Sequence, residues 1–218
     1  MINPAKVKNY NRTESELEEF LLFGINVAGH RSEIEAPKLE AFLRGARKLE
    51  VSPFEWIRLL IEEEEKTDME RGLYTYLLHK RIAPYQDRYN SYLDVVKLSS
   101  SHSFPWKSLR DVTLEELMKV RGIGMKTARF FLSNTRKDFD EPMLDTHIMS
   151  WLRDQGYVNA PKSTPSSKKA YDYWADIFKD YARQLGKSVR ELDIEIWKEY
   201  SNKNRRQGQR GILSLKKG

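Results

Sequence analysis

Val120-Arg121-Gly122-Ile123-Gly124-Met125-Lys126-Thr127-Ala128 is the stretch on which the reading of this chain turns. Just before it, Thr113-Leu114-Glu115-Glu116 has the form of a capping box, in which a hydroxyl and a carboxylate three residues apart satisfy each other's backbone amides at a helix start. Leu114, Leu117 and Met118 follow at helical spacing, so a helix is expected over residues 113–119. Gly122 and Gly124 are expected to turn the chain tightly through positive φ, with Ile123 between them plugging the space between two helices. A second helix is expected over residues 125–134. Ala128, Phe131 and Leu132 form its apolar stripe, which leaves Lys126 in the first turn on another face. The result is a helical hairpin. The first-turn amides of its second helix lack intrahelical partners and lie at the positive end of the helix dipole, a suitable seat for a phosphate.

Downstream stands Leu144-Asp145-Thr146-His147, where Asp145 precedes the helical pattern His147-Ile148-Met149-Ser150-Trp151-Leu152 and reads as an N-cap. A lysine at a helix start meets a dipole that opposes a further positive charge and favours the neutral, nucleophilic amine. Such an amine can attack a sugar C1′, and a carboxylate beside that carbon stabilises oxocarbenium character. Taken singly, each feature is ordinary. Gly-x-Gly turns are common, most helix-start lysines are solvated, and most aspartates at such positions are only caps. It is their conjunction that points to chemistry on a nucleotide.

These residues together resemble the signature of the helix-hairpin-helix DNA glycosylases, in which a Gly-x-Gly-x-Lys hairpin precedes an Asp-Thr-His or similar segment. The resemblance implies an all-α, two-lobed helix-hairpin-helix DNA glycosylase fold, with Lys126 forming a Schiff base to the sugar and Asp145 assisting departure of the base. Members that only hydrolyse the base carry an uncharged residue where this chain has Lys126, so a strand-nicking AP lyase step by β-elimination is implied as well. DNA contacts are implied for Arg121, Gly122, Gly124, Met125, Thr127, Arg129 and His147. A wedge for the space left by a flipped nucleotide is implied in the turn after the first helix, at His30. A monovalent cation, Na+ or K+, is implied at the main-chain carbonyls of Met118, Val120 and Ile123.

Phe131-Leu132-Ser133-Asn134, Trp151-Leu152-Arg153-Asp154-Gln155-Gly156-Tyr157, Leu185-Gly186-Lys187-Ser188 and Glu191-Leu192-Asp193-Ile194-Glu195-Ile196-Trp197 narrow the likeness to the compact archaeal-type 8-oxoguanine DNA glycosylase/AP lyases. They point to Asp193 and Trp197 for the base pocket. In that group the chain normally ends soon after the tryptophan segment, whereas this one continues to Gly218. The implied activity is removal of 8-oxoguanine from damaged double-stranded DNA by a monomer. Two alternatives stay open: a glycosylase of the same fold for another altered base (an oxidised, mismatched or modified pyrimidine), and a non-catalytic hairpin protein that only binds DNA.

The rest of the chain reads as helix. Residues 14–28 carry Leu17, Phe20, Leu21, Ile25 and Val27 in helical phase, and further helices are expected over 36–48, 53–66, 69–79, 85–98, 167–186 and 189–200. Loops are expected at 99–105 and 159–165, where Ser and Pro cluster. No alternating strand pattern appears. The expected organisation is one folded region, 1–200, with its hairpin lobe at about 105–150, followed by a basic, flexible tail at 201–218.

Charge lends less support to nucleic-acid binding than its total suggests. The formal net charge is +6, and Lys203, Arg205, Arg206, Arg210, Lys216 and Lys217 in the tail account for all of it. Attraction by the folded region must come from local asymmetry, such as Lys119, Arg121, Lys126 and Arg129 around the hairpin. Glu62-Glu63-Glu64-Glu65 reads as a solvated helix face. There is no cysteine, which excludes disulfides and a cysteine-ligated iron–sulfur cluster. His30, His79, His102 and His147 show no metal-ligand spacing, so no cofactor is expected beyond the Na+ or K+. No apolar run is long enough for a membrane span, and Met1-Ile2-Asn3-Pro4 does not open a signal peptide. An intracellular protein is expected, in the cytoplasm or nucleoid of a prokaryote, with no membrane partner.

Overall fold

A computed structural model describes residues 2–3, 6–66, 72–100 and 108–200, and every regular element among them is a helix. Residues 69–71 of the expected fourth helix, residues 101–105 of the expected loop, and the basic tail lie outside the described residues. None of the helices described is long and apolar enough to cross a membrane.

The chain divides into two compact units, Met1–Lys137 and Asp138–Gly218. The boundary falls in the extended segment after the hairpin, so the expected hairpin lobe of residues 105–150 is split. The hairpin belongs to the first unit and Asp145 to the second.

In the first unit, α1 (Glu14–Val27) begins at a capping box in which Thr13 accepts the Glu16 amide and the Glu16 carboxylate accepts the Thr13 amide. From Phe20 onward no polar face survives: Phe20, Leu21, Leu22, Phe23, Ile25 and even Asn26 are buried, as expected of a helix enclosed on all sides. It packs against α2 (Ser32–Leu49), α3 (Pro53–Lys66), α5 (Tyr85–Ser100) and α7 (Met125–Thr135), while α4 (Leu73–His79) lies against α3 and α5. Phe20 meets the rings of Phe130 and Phe131 at 5.4 and 5.9 Å, which fixes α7 on the central helix. Buried Arg12 stacks on Phe20 at 4.0 Å and donates to the Asn134 carbonyl at 2.9 Å, tying the last turn of α7 to the segment that leads into α1. Burial lowers the pKa of the Arg12 guanidinium.

Two helices run further than their sequence signals suggested. α2 starts at Ser32, ahead of the expected 36, because the Arg31 carbonyl already accepts the amides of Ile34 and Glu35. Pro37 therefore sits inside the helix and does not open it. α5 continues to Ser100 through residues expected in a loop, and Ser99 fits because its hydroxyl donates back to the Val96 carbonyl at 2.9 Å.

The second unit is built on α8 (Thr146–Asp154), α9 (Lys168–Gln184) and α10, residues 189–200. Their buried faces carry Ile148, Met149 and Leu152, then Tyr171, Trp174 and Phe178, then Leu192, Ile196 and Tyr200. Trp151 sits edge-on to Phe178 and Tyr181 at 5.7 and 5.2 Å. The Tyr200 hydroxyl donates to the Asp154 carboxylate, closing α10 onto the end of α8.

Candidate active site

The hairpin of the first unit consists of α6 (Leu114–Leu117), the turn Met118–Gly124 and α7. Its capping box forms as the sequence indicates: Thr113 Oγ1 accepts the Glu116 amide at 3.2 Å, and Glu116 accepts the Thr113 amide at 2.7 Å. Val120 and Ile123 are buried, at 1% and 4% exposure, so Ile123 fills the gap between the two helices.

The two glycines have different roles. Gly122 has φ +82°, the left-handed conformation that favours glycine. Gly124 does not share it. Its φ of −90° and ψ of −179° are extended backbone, and it serves as the N-cap of α7, its carbonyl accepting the Ala128 amide at 3.0 Å. A helix start requires an extended cap residue, so the turn is completed by Gly122 alone. A Cβ at Gly124 would meet nothing within 4 Å, leaving open space before the first turn.

Lys126 is exposed in that first turn, opposite the buried stripe of Ala128, Phe131 and Leu132. Met125 and Thr127 are half-buried, and Thr127 faces α1 at Gly24. Arg129 departs from expectation. It is only 4% exposed, so its guanidinium is not at a surface where it can meet a phosphate. Adjacency in sequence to a surface turn does not make a helical residue a surface residue, because Arg129 follows Ala128 on the wide buried side of α7.

Met118, Val120 and Ile123, the residues at which the resemblance implies a cation, belong to the turn. Their carbonyls are the only donors in question, since the Val120 and Ile123 side chains are buried and apolar. The Val120 carbonyl accepts the Ile123 amide at 3.1 Å, which leaves it one further lone pair.

Arg121 is held by α5. Its amide and Nε both donate to Asp94 Oδ2, at 3.0 and 2.7 Å, and its Nη2 donates to Oδ1 at 2.7 Å. These bonds hold the Asp94 carboxyl below the usual aspartate range, against an opposing effect of burial. The turn that bears exposed His30 is also tied to α5. Arg88 donates to the Asn26 and Ala28 carbonyls at 3.1 and 3.3 Å, Tyr92 donates to Asn26 Oδ1 at 3.1 Å, and Gly29 turns the chain at φ +77°. Burial lowers the Arg88 guanidinium pKa and pushes the Tyr92 phenol well above its ordinary value. Tyr74, Tyr76 and Tyr89 are paired with neighbouring rings inside this unit.

In the second unit, half-buried Asp145 is the N-cap of α8, with Oδ1 accepting the His147 and Ile148 amides at 2.8 and 3.0 Å. Fully buried Tyr171 of α9 holds the approach to it, its hydroxyl donating to the Pro142 carbonyl and accepting the Leu144 amide, each at 2.9 Å. The structure brings two further expected residues together, as His147 stands edge-on to Trp197 with ring centroids 6.5 Å apart. Trp197 is 51% exposed and leaves part of its ring available for stacking. Asp193 is buried, with its carboxylate 3.9 Å from Arg190.

The positioning groups Arg88, Tyr92, Asp94 and Tyr171 have no motif that announces them. Only Asn26 carried a signal, as a polar residue directly after the apolar run of residues 20–25 of α1.

A family model described as 8-oxoguanine DNA glycosylase matches residues 66–187. The 8-oxoguanine DNA glycosylase/AP lyase of Saccharolobus solfataricus is 36% identical over 88 residues, 40% of this chain and 42% of that protein. The protein of the same name from Thermoplasma volcanium is 39% identical over 88 residues, 40% of this chain and 39% of its own length. The matches thus span about two fifths of these relatives. Among solved structures, Methanocaldococcus jannaschii 8-oxoguanine DNA glycosylase is similar in fold, with a TM-score of 0.61 and 24% identity over 88% of this chain and 82% of that one. Its complex with a 15mer DNA containing 8-oxoguanine gives a TM-score of 0.61 and 20% identity, over 91% and 87%.

Proposed function

The chain belongs to the 8-oxoguanine DNA glycosylase family, and we propose on that basis that it is a base-excision-repair glycosylase with AP lyase activity, removing 8-oxoguanine from duplex DNA. The observation that carries this reading is an exposed lysine in the first turn of a helix entered through a Gly-x-Gly turn. A DNA-binding hairpin needs the backbone amides but no amine at that position.

In the reaction, the Lys126 amine attacks C1′ of a flipped nucleotide, the base departs with the electrons of the glycosidic bond and is protonated, and the ring opens to a Schiff base. Loss of a C2′ proton then breaks the C3′–O bond by β-elimination and nicks the strand. The Asp145 carboxylate stabilises the positive charge that develops at C1′. Gly122, Gly124, Met125 and Thr127 hold the phosphate through backbone amides near the start of α7, and the Met118, Val120 and Ile123 carbonyls would hold Na+ or K+ beside it. His30 fills the vacated stack, and Trp197 with Asp193 lines the base pocket. The partner is double-stranded DNA bound by a monomer, and the setting is the cell interior.

Duplexes carrying 8-oxoguanine, uracil, thymine glycol or an alkylated purine, compared side by side in single-turnover assays, test the substrate. Release of 8-oxoguanine fastest supports the reading; release of another base without 8-oxoguanine overturns it.

A further inference from the structure

Arg121 has the position of a phosphate contact but not the environment of one. The Nε and Nη2 edge of its guanidinium is filled by both oxygens of Asp94, in the paired geometry by which arginine binds a carboxylate. Asp94 Oδ2 also takes the Arg121 amide, and Nη2 reaches the Asn90 carbonyl at 3.4 Å. On the other side of the peptide unit, Ser91 Oγ donates to the Arg121 carbonyl at 2.6 Å and lies 2.7 Å from the Asp87 carbonyl. Side chain, amide and carbonyl of one turn residue are thus all held by a single helix, α5. The fit is close at the next residue too, where a Cβ on Gly122 would stand 3.0 Å from Ser91 Oγ. The Arg121 side chain is 54% exposed, and the Asp94 carboxylate offsets part of the field that it presents there. Two residues beyond Gly122, Gly124 caps α7 and Lys126 follows, so any shift of the turn moves the start of that helix.

We propose that Arg121 is a positioning residue: Asp94 and Ser91 of α5 grip the hairpin turn through it and so set where the Lys126 amine and the first-turn amides of α7 point. This rests on the lyase reading of Lys126. The test uses the full chain with Asp94→Asn, Arg121→Gln, Arg121→Lys and, as a control, Lys126→Gln. Two quantities are measured: affinity for a duplex with a tetrahydrofuran abasic analogue as a function of KCl concentration, and the single-turnover rate of borohydride trapping on an abasic duplex at saturating protein.

Asp94→Asn and Arg121→Gln should each slow trapping about tenfold, within the hundredfold that a misplacement of about 1 Å costs. Arg121→Lys should fail to rescue it, since lysine lacks the fork, and none of the three should change the salt slope. The inference is overturned if Asp94→Asn traps at the wild-type rate and binds as tightly or more tightly, or if Arg121→Gln lowers the salt slope by about one counterion while Arg121→Lys restores it. Ser91→Ala, a smaller change with the same expected direction, serves should Asp94→Asn melt early. Trapping that persists in Lys126→Gln, or is absent in the wild type, refutes the lyase reading instead; the salt slopes then decide the role of Arg121 alone.

Discussion

Asp145 has two roles that substitution separates. Its carboxylate caps α8 through two amides, and asparagine caps a helix about as well as aspartate does. Asp145→Asn should therefore leave the melting temperature nearly unchanged while base release slows by at least about tenfold, in keeping with the loss of an electrostatic partner for developing charge. Asp145→Ala should lose that activity and also about 1 kcal/mol of stability. Equal activity of wild type and Asp145→Asn would remove the residue from the chemistry. The Arg121–Asp94 pair makes a prediction in pH. Because the folded carboxyl is held below its ordinary value, its contribution is present above that value, near 3.8, and is lost as pH falls through and below it. The stability difference between wild type and Asp94→Asn, from melts across a pH series, should stay flat above about pH 5 and shrink in acid. A difference that instead shrinks towards alkaline pH contradicts the pairing. This partnership was not legible in the sequence. Thr113 with Glu116, and Asp145 with the two amides after it, are contacts within one helical turn, whereas Asp94 lies 27 residues from Arg121 on another helix.

At the scale of elements, the hairpin turn and α7 reward the sequence reading because their signals are local: a capping box, a Gly-x-Gly turn, an apolar stripe and a first-turn lysine. The parts that differed depended on more distant structure. Gly124 takes the conformation of a helix cap, which its neighbour Met125 imposes by starting α7. Arg129 is buried by a face of α7 wider than the stripe of Ala128, Phe131 and Leu132 indicates. α2 begins at Ser32, ahead of the expected 36, and α5 runs through the two serines that look like a loop. The glycines make the difference measurable. Gly122→Ala combines positive φ with a 3.0 Å approach to Ser91 Oγ and should lower stability by about 1–3 kcal/mol. Gly124→Ala, with an ordinary φ and open space, should cost less than about 1 kcal/mol. Chemical denaturation of both variants checks the order, and a larger loss at Gly124 contradicts the assignment of the turn.

For the whole molecule, the formal charge excess of +6 resides in residues 201–218, so affinity and chemistry should be separable. Removing those residues should flatten the salt dependence of duplex binding, by up to about 0.9 in slope for each phosphate that the tail neutralises, and leave the trapping rate at saturating protein unchanged. An unchanged slope shows that the tail does not meet DNA. The helical class and the hairpin were readable from the chain because periodicity reports burial residue by residue. The division at Lys137 was not, since it depends on which helices pack together and no glycine-rich or low-complexity linker marks it. The chain belongs to the 8-oxoguanine DNA glycosylase family, and the lyase step proposed for it rests on the exposed Lys126. The most direct test is borohydride trapping of the full chain on a duplex containing 8-oxoguanine, with wild type beside Lys126→Gln. A covalent protein–DNA adduct with the wild type and none with Lys126→Gln is the predicted result; an adduct of equal yield in both, or in neither, contradicts a Schiff base at Lys126.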